Sequence, residues 1–496
     1  MKRRTPIIGL LILILAGGLF YLLKPTENKQ SRLGNWWDKL AQQEQPLPVV
    51  QTEAQMPVSP SVSEPVAPMA EENLTYDQRV NKGDYYFEKG FYTFAGNEYT
   101  KATELEPRRI EPHLKLVDTY LNLLNYDQAM ESVQTLLNLE PENTEAQFLK
   151  ALIQIKQSDF SGAQIALTEL NASPPLNAEV SYYQALLESL FGHHEQARDL
   201  FEQAKNESLN PELTAKIDLF NRAYQEFDLA QLAEGAYLEQ LLARAYNEAK
   251  EYQMTVYSMK ELLKERSELR DAWILYGFAY LNLNQYAWAK TAFERAYQLD
   301  STWTPTQFFL GITNQELGNR QEAIKFFNFA LANQFEPELV AQQYLADLHF
   351  EAGNYKQAVK AYERVIELNN RDLDAYTRPV WIYLDFLNQP QNALALAEIA
   401  ITLFPEEAMA HNLLGWSQLG MQDYTEAEKS LSRALQLDAN LAAAHYNLGK
   451  LYQAQRNYTQ ALTSYQQAYQ MDQNGSVGNL AAQAYNDLLL IQASEE

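Results

Sequence analysis

From residue 76 onward the apolar residues fall at i, i+3, i+4 and i+7, in short stretches broken by polar turns, which predicts one amphipathic helix after another. The stretches come in pairs, and the pair recurs every 34 residues. Eleven copies can be laid out, at 76–109, 110–143, 144–177, 178–211, 236–269, 270–303, 304–337, 339–372, 374–407, 408–441 and 442–475. An alanine opens the second helix of each as Ala95, Ala129, Ala163, Ala197, Ala289, Ala323, Ala358, Ala393, Ala427 and Ala461, and Thr255 alone breaks the series. Small residues at this place, and at Gly277 or Ala346 in the first helix, let two helices approach closely, while Tyr280 and Phe293 fill the space between neighbours. Turns holding Gly or Asn, such as Gly353-Asn354 and Asn284-Gln285, join the helices. Proline after the second helix stops it, because it cannot continue the hydrogen-bond ladder.

The clearest copy reads Trp273-Ile274-Leu275-Tyr276-Gly277-Phe278-Ala279-Tyr280, then Ala289, Phe293 and Ala296. Another holds Leu448-Gly449, Tyr452, Tyr458, Ala461, Tyr465 and Ala468, and the first holds Gly83, Tyr86, Tyr92, Ala95, Tyr99, Ala102 and Pro107. Pro141, Pro175 and Pro405 recur in the same phase as Pro107. This resembles the tetratricopeptide repeat, with its aromatic, small residue, aromatic and Ala-x3-Phe pattern. The resemblance covers about four-fifths of the chain and rests on many positions agreeing in phase. It implies an all-α, right-handed superhelical solenoid of about eleven helix-turn-helix repeats, stabilised by stacking because one hairpin cannot bury its apolar face alone.

Residues 212–235 interrupt the phase, with Leu219, Phe220, Tyr224 and Phe227 at helical spacing, so an extra helix separates repeats at 76–211 from those at 236–475. An odd helix disturbs the alternation and should bend the array; a degenerate repeat is the other reading. Residues 476–496 are expected to cap the array, with Asn486 and Asp487 facing water.

The beginning of the chain has a different pattern. Lys2, Arg3 and Arg4 precede an uncharged stretch from Thr5 to Leu23, closed by Lys24 and Pro25. Its length, about 28 Å as a helix, matches the hydrocarbon thickness of a bilayer. Residues 1–24 are therefore expected to be an uncleaved transmembrane helix with the N-terminus in the cytoplasm and the remainder outside, by the positive-inside rule. A cleaved signal peptide is the alternative, with Ala16-Gly17-Gly18 as the cleavage site, but five apolar residues follow it directly. Residues 25–75 then read as a juxtamembrane and proline-rich linker. Trp36-Trp37 suits either the headgroup layer or a packing contact, and the six prolines between 44 and 72 suit an extended spacer.

Charge narrows the partners. The chain carries −25 overall, and −29 once the four basic residues of 1–24 are set aside. Such a surface disfavours nucleic acid, which needs a basic face to displace counterions, and favours basic partners or plain solubility. The absence of cysteine excludes disulfides, zinc-thiolate sites, a cysteine-linked lipid anchor and thiol catalysis.

Catalytic chemistry finds no footing. Of six histidines only His193 and His194 adjoin, and neighbouring side chains diverge. His411 and His445 are 34 apart and stand where Trp273 stands, which makes them packing residues. There is no Gly-x-Ser-x-Gly elbow and no phosphate-binding glycine loop. No cofactor, no metal and no enzymatic activity are expected. The expected function is a membrane-tethered scaffold or assembly factor in a bacterial envelope, with its repeats in the periplasm, binding other proteins. A polysaccharide- or ligand-binding ectodomain, as in exopolysaccharide export, is the alternative. In the tetratricopeptide family positions two, five, nine, twelve and thirteen of a copy usually face the ligand. Here they include Phe278, Asn282, Phe308, Asp347, Phe350, Arg378, Asp385, Phe386, Asn412 and Trp416. The family's carboxylate-gripping Lys and Asn are mostly replaced by apolar and acidic residues, which suits a basic amphipathic segment better.

Overall fold

The computed structural model describes residues 74–171, 177–230, 234–473 and 475–495. The anchor expected at 1–24 and the linker up to residue 73 lie outside the described residues. No helix among the described residues is long and apolar enough to cross a membrane.

Every regular element among the described residues is helical. Four pairs come first: α1 (Tyr76–Glu88) with α2 (Tyr92–Leu105), α3 (Glu111–Asn122) with α4 (Tyr126–Leu139), α5 (Thr144–Lys156) with α6 (Phe160–Asn171), and α7 (Ala178–Leu190) with α8 (His194–Glu207). The unpaired α9 (Pro211–Leu229) follows. Four more pairs are α10 (Gly235–Glu248) with α11 (Tyr252–Glu265), α12 (Arg270–Asn282) with α13 (Tyr286–Leu299), α14 (Thr304–Glu316) with α15 (Arg320–Ala332), and α16 (Glu338–Glu351) with α17 (Tyr355–Leu368). The next pair is α18 (Asp374–Trp381), extended by a π-helical turn (Ile382–Phe386), with α19 (Pro390–Leu403). The last are α20 (Ala408–Gly420) with α21 (Tyr424–Leu437) and α22 (Ala442–Ala454) with α23 (Tyr458–Met471), closed by α24 (Ser476–Glu495).

The turn inside each pair is built around one residue at positive φ. Gly90, Leu124, Ser158, Gly192, Lys250, Asn284, Gly318, Gly353, Asn388, Gln422 and Arg456 all take it. A residue in this region lets the amides beyond the helix turn back onto its last carbonyls, as in Leu123 N to Thr119 O and Asn125 N to Tyr120 O. Four of the eleven are glycine and two, Asn284 and Asn388, are asparagine, so the expectation of Gly or Asn at the turn holds in part. Leu124, Ser158, Lys250, Gln422 and Arg456 accept a conformation that L-residues avoid because the stacked helices fix it.

The ten alanines that open the second helices are all fully buried. Thr255 is fully buried in the same role, its hydroxyl donating to the Ala243 carbonyl at 3.2 Å. A β-branched residue is tolerated there because that bond removes the cost of a buried hydroxyl. The small residue opposite is just as constrained: a Cβ on Gly277 or Gly311 would stand 2.7–2.8 Å from the Phe293 or Phe327 ring. The place shared by Trp273, His411 and His445 has one role. Each donates a ring N–H to the carbonyl six residues upstream, at 2.9 Å, tying the first helix to the preceding turn.

Consecutive helices pack in order along the chain, and where helices two apart touch substantially they are first helices of adjoining pairs, as in α3 with α5, α10 with α12 and α20 with α22, or the last first helix and the closing helix, α22 with α24. The first helices thus share one face. α9 is not peripheral: Phe220 is fully buried and stacks on Phe201 at 4.9 Å, within a core that runs from Ala151 to Met254. Around it Lys156 reaches Glu251 at 2.9 Å, and Ser189 bonds the Tyr246 hydroxyl at 2.6 Å.

Candidate partner-binding surface

The residues expected to face a ligand divide into two groups. Phe308 is only 2% exposed; it stacks on Phe335 at 4.4 Å and meets Phe327 at 5.5 Å. Asn412 is equally buried and accepts the Asn447 amide at 2.9 Å. Both are core residues, which corrects their assignment to a groove. An extra residue in the register between α15 and α16 accompanies the fold of Phe335 onto Phe308, and the side chain of α22 covers Asn412.

The others reach the surface. Phe278 is half-buried between Tyr252 and Phe309, and Asn282 is exposed, bonding the Phe278 carbonyl at 2.8 Å. Asp347, Phe350, Arg378, Asp385 and Phe386 come together on α16, α18 and the π turn. There Phe350 lies 5.3 Å from Trp381 and 5.8 Å from Phe386, and Phe386 lies 4.3 Å from Tyr355. The Arg378 guanidinium sits over the Phe350 ring at 5.9 Å and donates to Asp347 at 2.8 Å. Asp347 also accepts the Tyr362 hydroxyl. Burial, then the Asp347 carboxylate, hold that phenol far above its usual range, so it stays a donor. Trp381 donates its indole N–H to Asp385 at 3.0 Å. Trp416 is half-buried one pair further along, with the Lys450 ammonium 5.7 Å above its ring.

Trp381, Tyr355, Tyr362 and Lys450 were not among the expected residues. Counted from 374, Trp381 falls where Gly277, Gly311, Gly415 and Gly449 stand. But Tyr376 bonds the Asn370 carbonyl six residues upstream as Trp273, His411 and His445 do at their place, so this helix runs one residue earlier. The fully buried Val380 holds the glycine's place, and Trp381 holds the next one, that of Phe278 and Trp416. The π turn that begins at Ile382 re-phases the helix beyond it, while Val380 and Ile382 on either side are fully buried. The indole is left half-exposed on the aromatic patch. Among the described residues no group of His, Asp and Glu is arranged to hold a metal ion.

Profiles described as tetratricopeptide repeat match residues 114–166, 270–303, 340–372 and 442–474, and one described as TPR repeat matches 419–456. The chain belongs to the tetratricopeptide repeat family. Proteins of this family generally mediate protein–protein interactions and scaffolding. A TPR repeat-containing protein of Methanocaldococcus jannaschii is 21% identical over 308 residues, 62% of this chain and 53% of its own length. A tetratricopeptide repeat and J domain-containing co-chaperone of Cryptococcus neoformans is 28% identical over 90 residues, 18% of this chain and 17% of its own. The chain thus spans about half the length of the archaeal relative and less of the fungal one. Among solved structures, yeast Tom70 aligns over 85% of this chain and 96% of its own at 16% identity and a TM-score of 0.30. YrrB, described as a TPR protein with an unusual peptide-binding site, aligns over 45% of this chain and 97% of its own at 18% identity and a TM-score of 0.30.

Proposed function

We propose that this tetratricopeptide protein is a membrane-tethered scaffold that holds partner proteins on the face shared by its first helices. The observation that carries the reading is the patch of Phe350, Tyr355, Trp381 and Phe386, edged by Asp385 and by the Asp347–Arg378 pair. Phe386 is 39% exposed at its centre, although it is large and apolar. Aromatic residues with an adjoining arginine are the composition that anchors protein partners. The acidic chain favours a partner whose apolar anchors stand beside Lys or Arg, in a helix or an extended segment. The tether is residues 1–24, on the strength of their basic flank and apolar length, which places the array in the periplasm of a bacterial inner membrane.

A photo-crosslinking residue at Phe386, compared with one at Ile165, tests the surface in the intact cell. Ile165 is 64% exposed and belongs to a second helix. Discrete crosslinked partners are expected from Phe386 and not from Ile165, and Phe350→Ala with Trp416→Ala should diminish them while the circular dichroism spectrum holds. Equal crosslinking at both positions, or full crosslinking in a well-folded double variant, would refute the assignment. For the tether, a reporter fused after Glu496 should be active outside the cytoplasm; activity only inside would overturn it.

A further inference from the structure

The Asp347 arrangement occurs twice. Residues 84–99 and 347–362 share Asp84/Asp347, Phe87/Phe350, Glu88/Glu351, Gly90/Gly353, Tyr92/Tyr355, Ala95/Ala358 and Tyr99/Tyr362, at a constant offset of 263. The helices keep the offset: α2 and α17 begin at Tyr92 and Tyr355, α3 and α18 at Glu111 and Asp374. The contacts repeat with the residues. Tyr99 donates to Asp84 at 2.7 Å as Tyr362 donates to Asp347. Lys115 donates to Asp84 at 2.8 Å, as Arg378 does to Asp347 at 2.8 Å. Phe87 meets Tyr92 at 5.2 Å, as Phe350 meets Tyr355 at 5.9 Å.

What covers the two sites is different. In the second, Trp381 lies on Phe350 at 5.3 Å, and Arg320 donates to the Glu351 carboxylate at 3.3 Å. In the first, the counterpart of Trp381 is Asp118, and Glu88 accepts no hydrogen bond among the described residues. A cavity of about 300 Å³ remains, lined by Asp84, Phe87, Glu88, Tyr99, Lys115 and Asp118. Asp84 already accepts both Tyr99 and Lys115, so the carboxylates left to a ligand are Glu88 and Asp118. The groove walls desolvate Asp118, and Glu145 adds like charge. Together they push its carboxyl above the usual value despite Lys115, so an arriving cation would relieve it. The second site supplies its own example of what such a glutamate takes, the guanidinium of Arg320.

We propose that the cavity on the first two repeats binds an arginine side chain of a partner protein. The guanidinium lies on the Phe87 ring and pairs with Glu88 and Asp118. The inference rests on the chain being a protein-binding scaffold, but its site is separate from the patch around Phe386.

The test is fluorescence anisotropy on the full chain in detergent, with a fluorescein-labelled octapeptide of alternating Ser and Arg as the probe. The same peptide with citrulline for arginine keeps the shape and removes the charge. Asp118→Asn and Glu88→Gln should each weaken the arginine peptide about ten-fold or more, the scale of one charge-assisted hydrogen bond. Asp118→Trp, which installs the counterpart of the second site, should abolish binding. A control with Glu212→Gln and Glu406→Gln, whose side chains are 77% and 81% exposed elsewhere, should bind within two-fold of the natural chain. Circular dichroism screens each variant for folding, and Glu88→Gln, on the exposed end of α1, keeps the test open if Asp118→Trp does not fold. Equal affinity for the citrulline peptide would overturn the proposal. So would Asp118→Asn and Glu88→Gln binding no worse than the control, or a folded Asp118→Trp that binds as the natural chain does. Because the probe reports on Phe87, Glu88 and Asp118, its failure leaves crosslinking at Phe386 to decide the scaffold reading by itself.

Discussion

Phe308→Ala is the sharpest test of how the array is held together. The ring is 2% exposed and is enclosed by Phe335 at 4.4 Å, Phe327 at 5.5 Å and Tyr344 and Phe309 at 5.9 Å. Truncation removes the transfer free energy of a whole buried ring and leaves a cavity between three rigid helices, for a cost of about 3–5 kcal/mol. Helices here pack in sequence, so the loss falls on α14 to α17 and their neighbours rather than on the whole chain. A single denaturation midpoint is therefore the wrong measure, because a long array need not unfold in one step. Native-state hydrogen exchange reads it locally. Amide protection across residues 304–368 should fall by roughly two to three powers of ten, at about 1.4 kcal/mol per power of ten, while that of α1 to α4 should not change. Phe386→Ala, at a ring that is 39% exposed, should lower protection much less. A Phe308→Ala effect below about 1.5 kcal/mol, or one spread evenly over the chain, would refute both the core assignment and the nearest-neighbour coupling.

Gly311→Val puts a Cβ 2.8 Å from the Phe327 ring and should cost about 1–3 kcal/mol by overpacking, read by the same exchange experiment. Asp118→Asn should raise the melting temperature at neutral pH. The natural carboxyl titrates above the ordinary aspartate value of 3.8, so the folded chain holds a proton that the unfolded chain releases and stability falls as pH rises through that window; below about pH 3.8 the difference should vanish. Glu98 behaves oppositely: burial pushes its carboxyl up, but Arg79 at 2.7 Å and Lys82 at 3.2 Å outweigh it and hold it below 4.5. Its stabilising contribution is complete above pH 4.5 and is lost as pH falls, so the melting difference between Glu98→Gln and the natural chain should shrink in acid.

The repeat itself was legible in the sequence, because each copy must solve the same packing problem with the same sizes of side chain. The alanines of the second helices, the close approach at Gly277 and the shared role of Trp273, His411 and His445 all follow from the period. So does the doubled Asp-x2-Phe-Glu-x-Gly-x-Tyr pattern at 84 and 347, once copies are compared with each other rather than with an average repeat. Copy position alone could not say which side chains reach water. Phe308 and Asn412 hold groove positions and are buried, because Phe335 and Asn447 from neighbouring elements close over them. Trp381 falls on a core position only if the copy is counted from 374; the Tyr376 bond to the Asn370 carbonyl sets the helix one residue earlier, so Val380 is the core residue and Trp381 faces out. Thr255 looked like a break and is a fully buried member of the series, its hydroxyl satisfied by a carbonyl twelve residues away. The period determines which positions face a neighbouring helix; only the tertiary structure decides which groove positions another side chain covers, because exposure depends on that neighbour.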